Sequence, residues 1–168
     1  MAIGTALLYS CDKPNTNPGE EGGTGHLTLT GPQKVTGTII TLEKDFNIHF
    51  IVAPYGQGLD AVDQTNNLII FSIKMPENTL PSSTTTYTIV DDPLAGDLSS
   101  SEVYISYSEV SGSTIIDYQS QNGSGNFVLV KSGSVYSFSI INLTLMEGPV
   151  YTDGPVDYYT VNGSFEFK

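Results

Sequence analysis

Cys11 and the two histidines, His26 and His49, are the side chains in these 168 residues that most readily act as nucleophile or base near neutral pH. Acyl transfer by Ser or Cys needs a base beside the nucleophile and a third group behind that base. His26 closes a Gly-rich stretch and His49 falls in the outward parity of a strand pattern. No Gly-x-Ser-x-Gly elbow occurs. No hydrolytic triad is expected. Paired carboxylates could hydrolyse glycosides, but 18 acids make chance pairs inevitable and Trp, a usual sugar platform, is missing. No His/Cys cluster has zinc spacing. Oxygen ligands are more plentiful. Asp91, Asp92 and Asp97 share one loop, close to Glu102, and Asp60, Asp63, Asn66 and Asn67 crowd another. Calcium takes oxygens from such loops, so convergence of Asp91, Asp92 and Asp97 would make a site. Neither loop has EF-hand spacing, and splayed, hydrated acids are the expectation. Tyr104 and Tyr158 fall in outward strand parity, where a ring could stack on a sugar or meet a partner, or simply pair across strands. No phosphate loop or dinucleotide pattern is present, so no cofactor is expected. Asn122-Gly-Ser, Asn142-Leu-Thr and Asn162-Gly-Ser match the glycosylation acceptor, as chance allows in an Asn- and Ser-rich chain.

Charge narrows the partners. All six bases are Lys, and the net charge is −12. A basic face is what phosphate backbones and anionic lipid headgroups require, so nucleic acid and electrostatic membrane docking are both excluded as expectations. One Cys allows no internal disulfide. With 14% charged and 39% hydrophobic residues, the chain is unlike a disordered acidic tail.

Residues Ala2 to Tyr9 form an uncharged apolar run. It is too short for a membrane span of ~20 residues and fits the apolar core of a secretion signal. Its end, Leu8-Tyr9-Ser10-Cys11, resembles a bacterial lipobox. That resemblance implies diacylglycerol on Cys11, loss of residues 1–10, and a membrane held through the lipid. No Lys precedes Lys13, whereas a signal opens on positive charge, so Met1 reads as an internal Met of a longer signal. The plainer reading is a partly buried first strand with a free thiol. Residues 12–26, with two Pro, four Gly and no large apolar side chain, read as a flexible tether.

From Leu27 the pattern has period two, and residues 27–168 read as one domain. Four clear strands centre on residues 46–52, 69–75, 102–108 and 158–167. Five weaker ones cover 35–42, 87–90, 115–119, 127–131 and 135–146. Ser132-Gly133-Ser134 makes a hairpin turn between the last two. Apolar parity switches inside 135–146, from Tyr136, Phe138 and Ile140 to Ile141, Leu143 and Leu145, which predicts a bulge or a crossover between sheets. A similar slip is expected at Ile39 and Ile40. Phe50, Phe71, Phe138 and Phe165 are the expected core. The fold expected is an all-β antiparallel sandwich of about nine strands, with a closed, lipocalin-like barrel as the alternative.

The order of Pro81–Val90, Tyr104–Tyr107, Gly123–Lys131 and Tyr158–Phe167, the last ending Asn-Gly-Ser-Phe-Glu-Phe, resembles small β-sandwich lipoproteins of Bacteroidetes-type cell envelopes. The resemblance implies a sandwich fold and an outer-membrane-anchored lipoprotein facing periplasm or exterior; with no catalytic constellation among the residues, the expected role is non-catalytic, binding a glycan or protein or structural. The rival expectations are a small-ligand carrier with an internal pocket lined by Phe46, Phe50, Phe71 and Phe138, and an atypical hydrolase with two carboxylates facing across a cleft.

Overall fold

Alternating apolar and polar side chains satisfy a strand with one dry and one wet face, and the described residues form ten such strands. The computed structural model describes residues 22–32, 38–51, 58–77, 79–91, 98–111, 114–148 and 157–168. In sequence order the strands are β1 (Gly23–Pro32), β2 (Ile39–Ile51), β3 (Gly58–Asp63), β4 (Ile70–Lys74), β5 (Thr85–Val90), β6 (Glu102–Ser111), β7 (Thr114–Ser120), β8 (Asn126–Ser132), β9 (Val135–Gly148) and β10 (Tyr158–Phe167).

The sheet closes on itself. Strands β10-β1-β2-β3-β4-β6-β5-β8-β9 form a ring, sealed by pairing of β9 with β10. The all-β class holds, and the closed barrel replaces the open sandwich. Among the described strands every pairing is antiparallel except β5 with β6. The tenth strand, β7, bridges β6 and β9 directly: Ser106 to Ser111 pair on one side of it, Leu145 to Gly148 on the other. The barrel therefore has nine strands at the end where β1 begins, the lower end, and eight at the upper end. Ser120 sews the junction. Its hydroxyl is fully buried, accepts the Ile105 N–H at 3.1 Å and donates to the Val90 carbonyl.

Strands β1 and β3 are not among the nine expected, and two of the expected strands are one. β1 begins at Gly23, so the last four residues assigned to the tether, Gly23 to His26, lie in the barrel wall, paired to β2 and β10. The stretches 35–42 and 46–52 belong largely to a single strand, β2, whose register against β1 is continuous from Ile39 to Ile48. The slip expected at Ile39 and Ile40 does not occur, and Ile39 points to solvent. The second parity switch is real. Pairing of β9 with β10 shifts between Val161 and Gly163, opposite Asn142, which has φ +52°. This is a β-bulge. It places Ile140 inside, Ile141 outside and 77% exposed, and Leu143 inside again. Asn142 N–H donates to Asn162 Oδ1 at 2.8 Å, which holds the bulge.

Aromatic rings fill the interior. Phe165 lies against Phe138 (4.9 Å between centroids), Phe71 (5.9 Å) and Phe46 (6.0 Å). Phe127 packs on Phe138 and Tyr87 on Phe127. The space proposed for an apolar ligand between Phe46, Phe71 and Phe138 is thus occupied by Phe165. Phe50, expected in the core, is only partly buried beside it. Lys44 also takes inward parity, and its Nζ reaches Asp63 Oδ2 at 3.2 Å. Asp63 Oδ1 accepts from Thr65 N–H, Thr65 hydroxyl and Asn66 N–H, so this acid caps the β3–β4 turn.

Candidate functional site

Strand register lays four rows of outward side chains next to one another on β2, β1, β10 and β9. On β1, Thr24 stands between Asn47 and Glu166, and His26 between Asp45 and Ser164. Farther across, Ser164 faces Ser139 and Glu166 faces Ser137. Short hydroxyl groups in the middle and longer side chains at the edges leave a groove of about 510 Å³ on the outer wall. Thr24, Ser137, Ser139 and Ser164 lie along it with His26, Asp45, Gln64 and Glu166. Gly25 belongs to the same segment for a packing reason: a Cβ there would fall 2.0 Å from the Phe165 ring.

His26 is clasped by two carboxylates from the neighbouring strand. Its Nδ1 lies 2.7 Å from Asp45 Oδ1 and its Nε2 2.6 Å from Glu43 Oε2. Thr28 donates a further bond to Glu43 at 2.8 Å. Both ring nitrogens donate only when the imidazole is protonated. Hydrogen bonds to Asp45 and then Glu43 accordingly raise the His26 pKa above its ordinary 6.5. The Thr28 and His26 bonds lower that of Glu43. The groove carries carboxylates, hydroxyls, an amide and the His26 imidazole. That chemistry suits a ligand rich in hydroxyl or amide groups and repels anions.

The upper end carries a second polar cluster, facing inward. The hydroxyls of Tyr107, Tyr118 and Tyr159 donate to Glu109 at 3.1, 3.4 and 3.4 Å. The three rings pack together, Tyr118 on Tyr159 at 4.7 Å between centroids. Burial first, then the negative charge of Glu109, pushes all three hydroxyls upward, Tyr159 to about 12. Asp157 adds to this on Tyr118 and Tyr159, and its own Oδ2 is buried with no hydrogen-bond partner among the described residues. Rings in mutual contact leave no room for a ligand between them, so the cluster reads as a plug.

The sequence candidates are scattered. Cys11, Asp92 and Asp97 lie outside the described residues, as do residues 12–21 of the tether. Asp91 is exposed just after β5, its N–H donating to Asn122 Oδ1 at 3.3 Å. Tyr158 is 43% exposed and Tyr104 half-buried, both with outward parity, but β7 and β9 lie between their strands. Asp60 is not a loop residue: it sits in β3 between His49 and Ser72. Desolvation raises its carboxyl, against a hydrogen bond from Ser72. Among the described residues no three His, Cys, Asp or Glu side chains converge as metal ligands.

The His26 clasp was missed because His26 read as the tail of a linker. The alternation Thr24, His26, Thr28, Thr30 against Glu43 and Asp45 was the available signal. The Tyr–Glu plug depends on pairing between β6, β7, β9 and β10, which no local pattern reveals. No protein-family model, curated protein or solved structure matches this sequence.

Proposed function

We propose that this protein is a non-catalytic binding or structural module of a bacterial cell envelope. A lipid on Cys11 would hold it to the outer membrane, and the outer groove on β2, β1, β10 and β9 would meet a glycan or protein partner. The observation that carries the reading is the contrast between the two faces of the wall. The interior is packed with Phe and Tyr rings, while a groove edged by polar and charged side chains lies open outside. Apolar-in and polar-out alternation is also the reverse of a membrane-spanning barrel, so attachment would fall to the lipid rather than to the strands.

Two measurements test this. Mass spectrometry of the native protein should find diacylglycerol on Cys11 at the mature N-terminus; an unmodified Cys11 removes the anchor. Isolated envelope polysaccharide, and separately envelope protein extract, should be retained by the wild-type protein and not by Ser164→Trp, which fills the groove. Equal retention by both proteins removes the groove.

A second reading rests on Asp45 and Glu166 lining one groove. Two carboxylates flanking a bound sugar are the equipment of a glycosidase. Release of reducing ends from envelope polysaccharide, abolished by Glu166→Gln, would favour it. Asp45 is already engaged by His26, which favours binding over catalysis.

A further inference from the structure

Two Asn-Gly pairs occur, Asn122-Gly123 and Asn162-Gly163, and the fold treats them oppositely. Asn122 and Gly123 are exposed in the turn from β7 to β8, outside the strand ladder. That turn is closed by Ser124 N–H on the Gln121 carbonyl at 3.1 Å and Gln121 N–H on Ser124 Oγ at 3.2 Å. Gly123 has φ +81°, and a Cβ built on it would meet nothing within 4 Å. Asn162 and Gly163 lie inside β10, paired to Thr28 and Leu27 of β1. Asn162 Oδ1 accepts from Asn142 N–H at 2.8 Å, against 3.3 Å from Asp91 N–H to Asn122 Oδ1, and a Cβ on Gly163 would fall 2.1 Å from the His26 carbonyl oxygen.

We propose that Asn122 is a site of spontaneous, one-way modification. The Gly123 backbone nitrogen attacks Cγ of Asn122 and forms a new C–N bond. The bond between Cγ and Nδ2 breaks, and Nδ2 leaves as ammonia, taking the proton from the Gly123 amide. Water then opens the cyclic imide at either carbonyl, giving aspartate or isoaspartate. The net change consumes one water and releases one ammonia, with no catalyst or oxidant. Glycine allows it because no side group shields the attacking nitrogen and its backbone rotates freely. The same chemistry at Asn162 requires opening the β1–β10 ladder first.

The product matters for its position. A carboxylate at residue 122 adds a negative charge beside Asp91, in a protein already at −12. Isoaspartate also lengthens the backbone by one carbon in the turn that leads the barrel from its eight-strand to its nine-strand end.

The test holds the purified protein in warm, mildly alkaline buffer and follows both Asn-Gly peptides by mass spectrometry, with isoelectric focusing alongside. Conversion at Asn122 should outrun that at Asn162 by on the order of tenfold or more, since the second site must open before it reacts. An acidic band should grow, and Asn122→Gln should not show it. In denaturant the two sites should convert at similar rates. Equal rates in the folded protein, or conversion at neither site there while both react in denaturant, overturn the proposal.

Discussion

When protonated, His26 separates two carboxylates, Glu43 and Asp45, that lie on the same face of β2 and would repel each other without it. Its pKa is raised by folding, so its contribution is complete below the ordinary 6.5 and fades as pH rises through the folded value. The Glu43 pKa is lowered, so its contribution is complete above the ordinary 4.5 and fades on acidification. The clasp should be strongest between those limits. His26 should titrate above 6.5 by NMR, and the melting temperature of wild type should fall relative to His26→Gln as pH rises past that point. A flat difference between the two proteins would show that the clasp contributes nothing. The tyrosines of the plug act at the other extreme. Their raised hydroxyls contribute below pH 10 and lose that contribution as pH climbs. Replacement of Tyr107 by Phe should therefore shrink the loss of stability seen in an alkaline melting series. Ser120→Ala leaves the Ile105 N–H and the Val90 carbonyl without their bridge and should cost about 1–3 kcal/mol in denaturant unfolding.

Strand β9 depends on its bulge. Asn142 holds a left-handed conformation that a β-branched residue resists. Asn142→Ile should destabilise by about 1–3 kcal/mol, whereas Asn142→Gly should be near neutral in the same urea titration. The bulge was legible in advance, because apolar parity changes within one uninterrupted run. Its position was read one residue early: Ile141 looked like core, and nothing local says that an isoleucine will face water. Strand β1 shows its period-two pattern only from Leu27, since its first two inward positions are Gly23 and Gly25, whose space Phe167 and Phe165 of β10 fill. Strand β2 looked like two pieces because Glu43, Lys44 and Asp45 interrupt the apolar pattern. The inward Lys44 is tolerated because Asp63, distant in sequence, neutralises it. Strand β3 hid among acids for a related reason, its Asp63 serving as a turn cap. Of the groove, Tyr104, Tyr158 and the acidic loop gave no warning, because it is assembled by register between four strands.

Ring closure is what local alternation could not reveal, since a sandwich and a barrel share the same period. It is decided by the β1–β10 pairing, which joins the first strand to the last. The closed ring makes one continuous core, so damage at its centre should be felt throughout. Phe71→Ala removes a fully buried ring stacked on Phe165 and should cost about 3–5 kcal/mol in equilibrium unfolding. A loss below ~1 kcal/mol would mean that the core relaxes around it. Strand β10 has a further consequence through time rather than space. It follows every other strand in the sequence, yet it supplies Phe165, around which Phe46, Phe71 and Phe138 pack. A ribosome, or an export channel, delivers it last. Until it arrives, β1 and β9 each offer an open edge and the central ring of the core is missing. Nascent polypeptides halted before Tyr158 should remain protease-sensitive and bind chaperones, then become resistant together once Phe165 has emerged.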